Sequence, residues 1–165
     1  MEYIHDTVNK LIEDYGTRDP FELCDALGIK VIQTLIKPLQ GAFYYIAGKP
    51  VVFIEESLRD DQKLLVCAHE LGHYILHSDI VKTSSLAEFE LFDMRDPVEY
   101  EANVFASHLM IDEKSLLELL KEGRTVFQVS MILKCNVNLI NIKLTEMNGY
   151  GYNFDTSWGN HDLFS

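Results

Sequence analysis

Cysteine is scarce in this chain and never paired by spacing. The three residues, Cys24, Cys67 and Cys135, are far apart, odd in number and outside any CxxC pattern. That argues against a disulfide framework and fits free thiols in a reducing cytoplasm. Long apolar runs are missing too, since none approaches the ~20 residues that span a bilayer. The opening residues, Met1 to Asp6, hold neither a basic cluster nor an apolar stretch, so no secretory leader is expected. Basic charge is in deficit: 14 Lys and Arg stand against 26 Asp and Glu, a net charge of −12 at pH 7. Such a chain repels a phosphate backbone, which disfavours sequence-independent nucleic-acid binding. Internal repeats and long linkers are absent as well.

What is present is an ordinary globular composition. The chain has 165 residues, 47% of them hydrophobic, with a mean hydropathy of −0.02. That is enough to bury a core without covalent staples. Glu2 to Tyr15 carries Ile4, Val8, Leu11 and Ile12 at helical spacing and ends at Gly16. Asp19 and Pro20 open a second helix that Gly28 stops. Lys30 to Ile36, Gly41 to Ala47 and Val51 to Ile54 read as strands, the last two joined by a turn at Gly48-Lys49-Pro50. Arg59 to His77 is strongly helical and apolar almost all round its middle, so it is expected to lie buried at the centre. A long connection with a short strand at Phe89 to Phe92 leads to a helix from Asp96-Pro97 to Met110. Further helices are expected at Glu113 to Lys121, Val126 to Lys134 and Val137 to Met147. The expected architecture is α+β: mainly helical, with a small three-stranded sheet. Residues 1–147 read as one domain, with the helices of 112–147 as a sub-bundle and 148–165 as an irregular tail.

The buried helix contains His69-Glu70-Leu71-Gly72-His73, an HExxH pattern. Positions i and i+4 lie on one helix face, about 5–6 Å apart at Cβ. Two imidazoles so placed can converge on one zinc ion. Glu70 stands beside the first of them, where it can take a proton from an attacking water and hand it to a leaving amine. A catalytic zinc site has three protein ligands and one open position. The candidates for the third are His77, Glu99, Glu101 and His108. His77 lies about 12 Å along a continuous helix from His69, too far to share its metal; a histidine in the last helical turn suits the negative dipole end. Glu99 is favoured, because Asn103 follows one turn later on the same face. One helix then offers a carboxylate to the metal and an amide to orient a ligating histidine. Glu101 points about 200° away from Glu99 around that helix and reads as solvated or supporting. Cys67 faces away from the metal and packs in the core.

The string Ala68-His69-Glu70-Leu71-Gly72-His73-Tyr74-Ile75-Leu76-His77, followed by Glu99-Tyr100-Glu101-Ala102-Asn103-Val104-Phe105-Ala106, resembles the ImmA/IrrE metallopeptidase family. Gly41-Ala42-Phe43-Tyr44 resembles that family's strand beside the cleft, and the likeness runs from about Pro20 to Ile111. The resemblance implies a zincin-like fold with an HExxH active-site helix. It implies that His69, His73 and Glu99 bind Zn2+, that Glu70 is the general base and acid, and that Asn103 supports a ligand. Gly41, Phe43 and Tyr44 would then line the substrate strand. The implied activity is a cytoplasmic endopeptidase that cleaves a helix-turn-helix repressor and so releases a mobile element, a prophage or stress genes. One departure is Asp112, where the family usually has proline at the helix stop. No electrophile for the transition state can be matched; Tyr74, Tyr100 and His108 are candidates.

Two other readings compete. The chain could be a non-catalytic module that sequesters a repressor or antitoxin, or a metal-dependent hydrolase of a non-peptide bond. The helix pair at 126–147 faintly resembles a helix-turn-helix, but it has few basic residues and reads as packing or partner docking. No direct nucleic-acid or membrane partner is expected.

Overall fold

The computed structural model describes residues 1–83, 96–154 and 156, with the backbone alone for 80–83. The chain opens with α1 (Glu2–Tyr15), whose Ile4, Val8 and Leu11 are buried and whose last turn is closed by Gly16 at φ 70°. α2 (Pro20–Ala26) follows; the Asp19 carboxylate accepts the backbone N–H groups of Phe21 and Glu22, which leaves Pro20 at the one helical position that needs no donor.

Three strands then form one sheet. β1 (Lys30–Thr34), β2 (Gly41–Ile46) and β3 (Lys49–Glu55) lie in the order β1-β3-β2, with β1 parallel and β2 antiparallel to the central β3. Ile46 pairs with Lys49, so the hairpin turn is Ala47-Gly48, with φ of 50° and 77°. Two residues at positive φ match the twist of the flanking strands. The turn therefore sits one residue earlier than the dipeptide signals at 48–50 suggest, and Lys49 and Pro50 belong to β3. Pro50 pairs with Tyr45 alone, before the pairing with β1 begins at Val51, a strand-end position that tolerates proline.

α3 (Asp60–Thr83) starts with Asp60 and Asp61 at its positive end. Leu65 to His73 are buried without interruption, because β2, β3, α2 and α4 enclose this stretch. The helix runs six residues beyond His77. The expectation that His77 closes the helix and serves its dipole is corrected here: His77 is interior and buried.

α4 (Pro97–Met110) begins with Asp96 capping Val98 at 2.8 Å. It crosses α3 at Gly72, where a Cβ would lie 3.2 Å from the Cα and carbonyl oxygen of Ala102 and from Cβ of Phe105. Small residues at this crossing bring the two backbones together. Ile111 leaves the helix in extended conformation, and Asp112 caps the next helix through the Ser115 N–H at 2.9 Å. The aspartate thus ends one helix by starting another, which a proline there would do by different means. α5 (Glu113–Lys121), α6 (Val126–Leu133) and α7 (Val137–Asn148) complete the described helices.

A continuous hydrophobic core links Ile4 on α1, Leu71 on α3, Phe105 on α4, Leu116 on α5 and Met147 on α7. No helix among the described residues is long and apolar enough to cross a membrane. The expected strand at Phe89 to Phe92 lies outside the described residues.

Candidate metal centre

Two helices build the site. α3 carries His69 and His73 on one face, one turn apart, and α4 brings Glu99 from its first turn. Nε2 of His69 lies 3.0 Å from Nε2 of His73. Glu99 Oε2 lies 3.1 Å from Nε2 of His69, and Glu99 Oε1 lies 3.3 Å from Nε2 of His73. The two rings meet edge to face with centroids 4.7 Å apart. All three side chains are buried, and of the chain's described residues this is the group whose ligand atoms converge as a metal site requires.

The donor geometry is informative. Both Glu99 oxygens are buried and neither receives an aligned hydrogen bond, although ring nitrogens are close. Leaving a buried carboxylate without donors costs several kcal/mol, roughly, unless a positive charge satisfies it. Converging lone pairs of two imidazoles and a carboxylate are what a cation needs, so these residues fit a metal ion. Burial opposes charge on His69, but the facing Glu99 and Glu70 carboxylates outweigh it and hold the ring above its ordinary value. Burial pushes His73 down to about 4, so it stays a neutral donor. For Glu99, burial would raise the carboxyl, yet the close approach of His69 and His73 prevails and keeps it below the usual range. Two imidazoles and one buried carboxylate thus converge on a single point, an arrangement that a cation would satisfy.

The groups behind the two histidines are ordered. Asn103 Oδ1 lies 3.0 Å from Nδ1 of His69. An amide oxygen only accepts, so Nδ1 carries the proton and Nε2 turns its lone pair to the centre. Behind His73 stand His77, for which the sequence suggests only a helix-end role, and Glu101, which it reads as solvated or supporting. Nδ1 of His77 is 3.2 Å from Nδ1 of His73, and Nε2 of His77 is 2.9 Å from Glu101 Oε2. The signal was available: His77 is at i+4 from His73 and shares its face.

Glu70 is buried beside His69, and its Oε2 has no hydrogen-bond partner. Burial pushes its carboxyl up to about 7; the negative charge of Glu99 adds to this and His69 works against it. β2 passes directly over it. A Cβ on Gly41 would come within 2.7 Å of Glu70 Oε1 and 2.3 Å of Val66 Cγ1. Gly41, Phe43 and Tyr45 face α3 in alternation. Phe43 is fully buried, edge-on to Tyr74 and Tyr45, and the Tyr45 hydroxyl donates to Ser78 Oγ at 3.2 Å. Tyr44 lies on the opposite face, against Phe53. Of the three strand residues singled out, Gly41 abuts the site, Phe43 is committed to packing, and Tyr44 points away.

The electrophile candidates divide in the same way. The Tyr100 hydroxyl donates to Glu146 at 2.6 Å. His108 lies against Lys143, whose Nζ is 2.7 Å from its Nδ1, in a cluster with His5 and Tyr150. Burial and the neighbouring Lys143 ammonium push His108 down to about 2. Neither group is turned to the centre, and Tyr74 packs its ring on Phe43. Cys67 is buried with its Sγ 3.8 Å from that of Cys24, both as free thiols.

A sequence profile of the IrrE N-terminal-like domain matches residues 24–135. The chain is 35% identical over 107 residues to the "Uncharacterized immunity region protein 2" of Bacillus phage phi105, covering 64% of this chain and 66% of that protein. The match thus spans just under two thirds of the phage protein. It is 26% identical over 152 residues to "Metallopeptidase ImmA" of Bacillus subtilis (strain 168), covering 87% of this chain and 85% of that protein.

Proposed function

We propose a specific activity for this chain, which belongs to the IrrE N-terminal-like peptidase family: a zinc-dependent endopeptidase that cuts a helix-turn-helix transcriptional repressor and so releases a mobile element, a prophage or stress genes. The observation that carries the reading is the convergence of His69, His73 and Glu99 within 3.3 Å, buried and beside the unpartnered carboxylate of Glu70. A set of two imidazoles and one carboxylate suits zinc in a zincin-like centre. The substrate class is supported by the relatives' names, a metallopeptidase and an immunity-region protein.

A zinc ion bound there supplies Lewis acidity for a scissile carbonyl and makes a nearby water more acidic. His69 and His73 present neutral Nε2 donors, and Glu99 neutralises charge. Glu70 takes the proton of the water that attacks the carbonyl carbon. As the C–N bond breaks, Glu70 gives that proton to the departing nitrogen. A buried carboxyl with raised proton affinity suits a group that must both accept and donate. Residues 1–147 act as one unit, supported by the core that runs from Ile4 to Met147. The three free cysteines fit action in the cytoplasm.

The test pairs metal content with turnover on a helix-turn-helix protein encoded beside this chain. The wild type should carry one equivalent of zinc, and His73→Ala should lose it. Glu70→Gln should keep the zinc and lose about 10²–10⁴-fold in cleavage rate. Cleavage at the wild-type rate in Glu70→Gln would remove Glu70 from the chemistry. A stoichiometric effect on the repressor that survives this change would favour a sequestering module instead.

A further inference from the structure

We propose that His77 and Glu101 are positioning residues that set the tautomer of His73. The proposal rests on the metal-centre reading above and goes beyond it. A carboxylate can only accept, so the 2.9 Å contact between Glu101 Oε2 and His77 puts the proton of His77 on Nε2. In its neutral form the ring has its lone pair on Nδ1. That atom faces Nδ1 of His73 at 3.2 Å, on the side of the ring away from the converging ligand atoms, so one of these two nitrogens donates to the other. With His77 accepting, the His73 proton sits on Nδ1. Nε2 of His73 is left as a lone-pair donor toward His69 Nε2 and Glu99.

The relay has a parallel on the other ligand. Asn103 performs the same operation on His69 in one step, from the same helix α4 that supplies Glu99 and Glu101. His73 is one helical turn further along α3, out of reach of that amide. His77 fills the distance, and Glu101 anchors it. Both are held: His77 is buried, and the half-buried Glu101 lies beside Tyr3 of α1. α3 continues past His77 to Thr83, so His77 stands in the interior of the helix. Groups that orient a ligating histidine are typically worth about 10–100-fold in metal affinity.

Zinc affinity of the purified full chain, measured by competition with a chromophoric chelator, tests this. His77→Leu removes both hydrogen bonds and should weaken zinc binding about 10–100-fold. His77→Gln offers an oxygen to His73 and an NH2 to Glu101, so it should restore affinity to within about threefold of wild type. Glu101→Leu should weaken it by about tenfold. Long-range proton–nitrogen spectra of the metal-free protein should show His73 protonated on Nδ1 in the wild type and in His77→Gln. Equal zinc affinity in His77→Leu and the wild type would overturn the proposal, as would a His77→Gln variant as weak as His77→Leu. A wild-type His73 protonated on Nε2 would overturn it even if His77→Leu fails to fold. A wild type that binds no zinc at all would overturn the metal-centre reading itself, and that result is distinct from the other three.

Discussion

Gly41 and Glu70 are in contact across the strand–helix interface: a single added carbon at Gly41 would lie 2.7 Å from Glu70 Oε1. The strand beside the site thus presents bare backbone to the residue proposed to move the proton. Glycine is required there by space, since only a residue without Cβ lets β2 approach α3 so closely.

Gly41→Ala should therefore act on chemistry more than on metal. The new methyl must displace the Val66 and Glu70 side chains. We expect a stability loss of about 1–3 kcal/mol. Turnover should fall by roughly 10²-fold, as for misplaced catalytic groups generally. Zinc stoichiometry should stay at the wild-type value. A variant that cleaves normally would show that Glu70 need not occupy this position.

Gly72→Ala tests the other close approach. At 3.2 Å from the Ala102 backbone, the methyl forces α3 and α4 apart by a few tenths of an ångström. Because His69 and His73 ride on α3 and Glu99 on α4, the separation opens the ligand set. Zinc affinity should drop together with the melting temperature. Unchanged affinity in calorimetric titration would mean that the centre tolerates the shift.

Metal removal should loosen the fold. A ligand present at 100 times its Kd stabilises by about 2.7 kcal/mol. For a chain of this length that is roughly 5–10 °C in Tm. Chelation should lower the melting temperature, and added zinc should restore it. The His73→Ala variant should melt at one temperature with or without chelator.

The His108 cluster predicts an acid limb in stability. Burial and Lys143 depress the ring from 6.5 to about 2. A group whose folded pKa is depressed contributes stability that is complete above its unfolded pKa and is lost as pH falls through the folded one. The wild type should therefore weaken steadily from about pH 6.5 downward. His108→Gln keeps an acceptor for Lys143 and has no charge to gain, so its urea midpoint should fall less between pH 6.5 and 4. Both proteins are compared with chelator present, so His69 and His73 titrate alike in each. Parallel profiles would assign the acid limb to other groups.

Much of the architecture was legible because it follows from local rules. Asp19-Pro20 and Asp96-Pro97 announce helix starts by capping chemistry, and the apolar spacing of α1 and α3 shows in any helical projection. Gly48-Lys49-Pro50 looks like the hairpin turn, but the structure places it at Ala47-Gly48, because pairing with β2 and β1 shows where Pro50 can stand. α3 runs six residues past the expected end at His77, because no glycine or proline there marks a stop.

By itself the sequence determined the pair His69 and His73, the adjacent Glu70, and a second helix bearing Glu99 and Asn103. These are relations within a few residues on one helix, and helical periodicity dictates them. Only the tertiary structure decided that Glu99 meets both imidazoles, that Gly41 lies on Glu70, and that Glu101 reaches His73 through His77. Those relations depend on how closely and at what offset α3, α4 and β2 pack. Packing distance is set by side-chain volume at the crossings, above all by Gly41 and Gly72, and no periodicity within one segment encodes it.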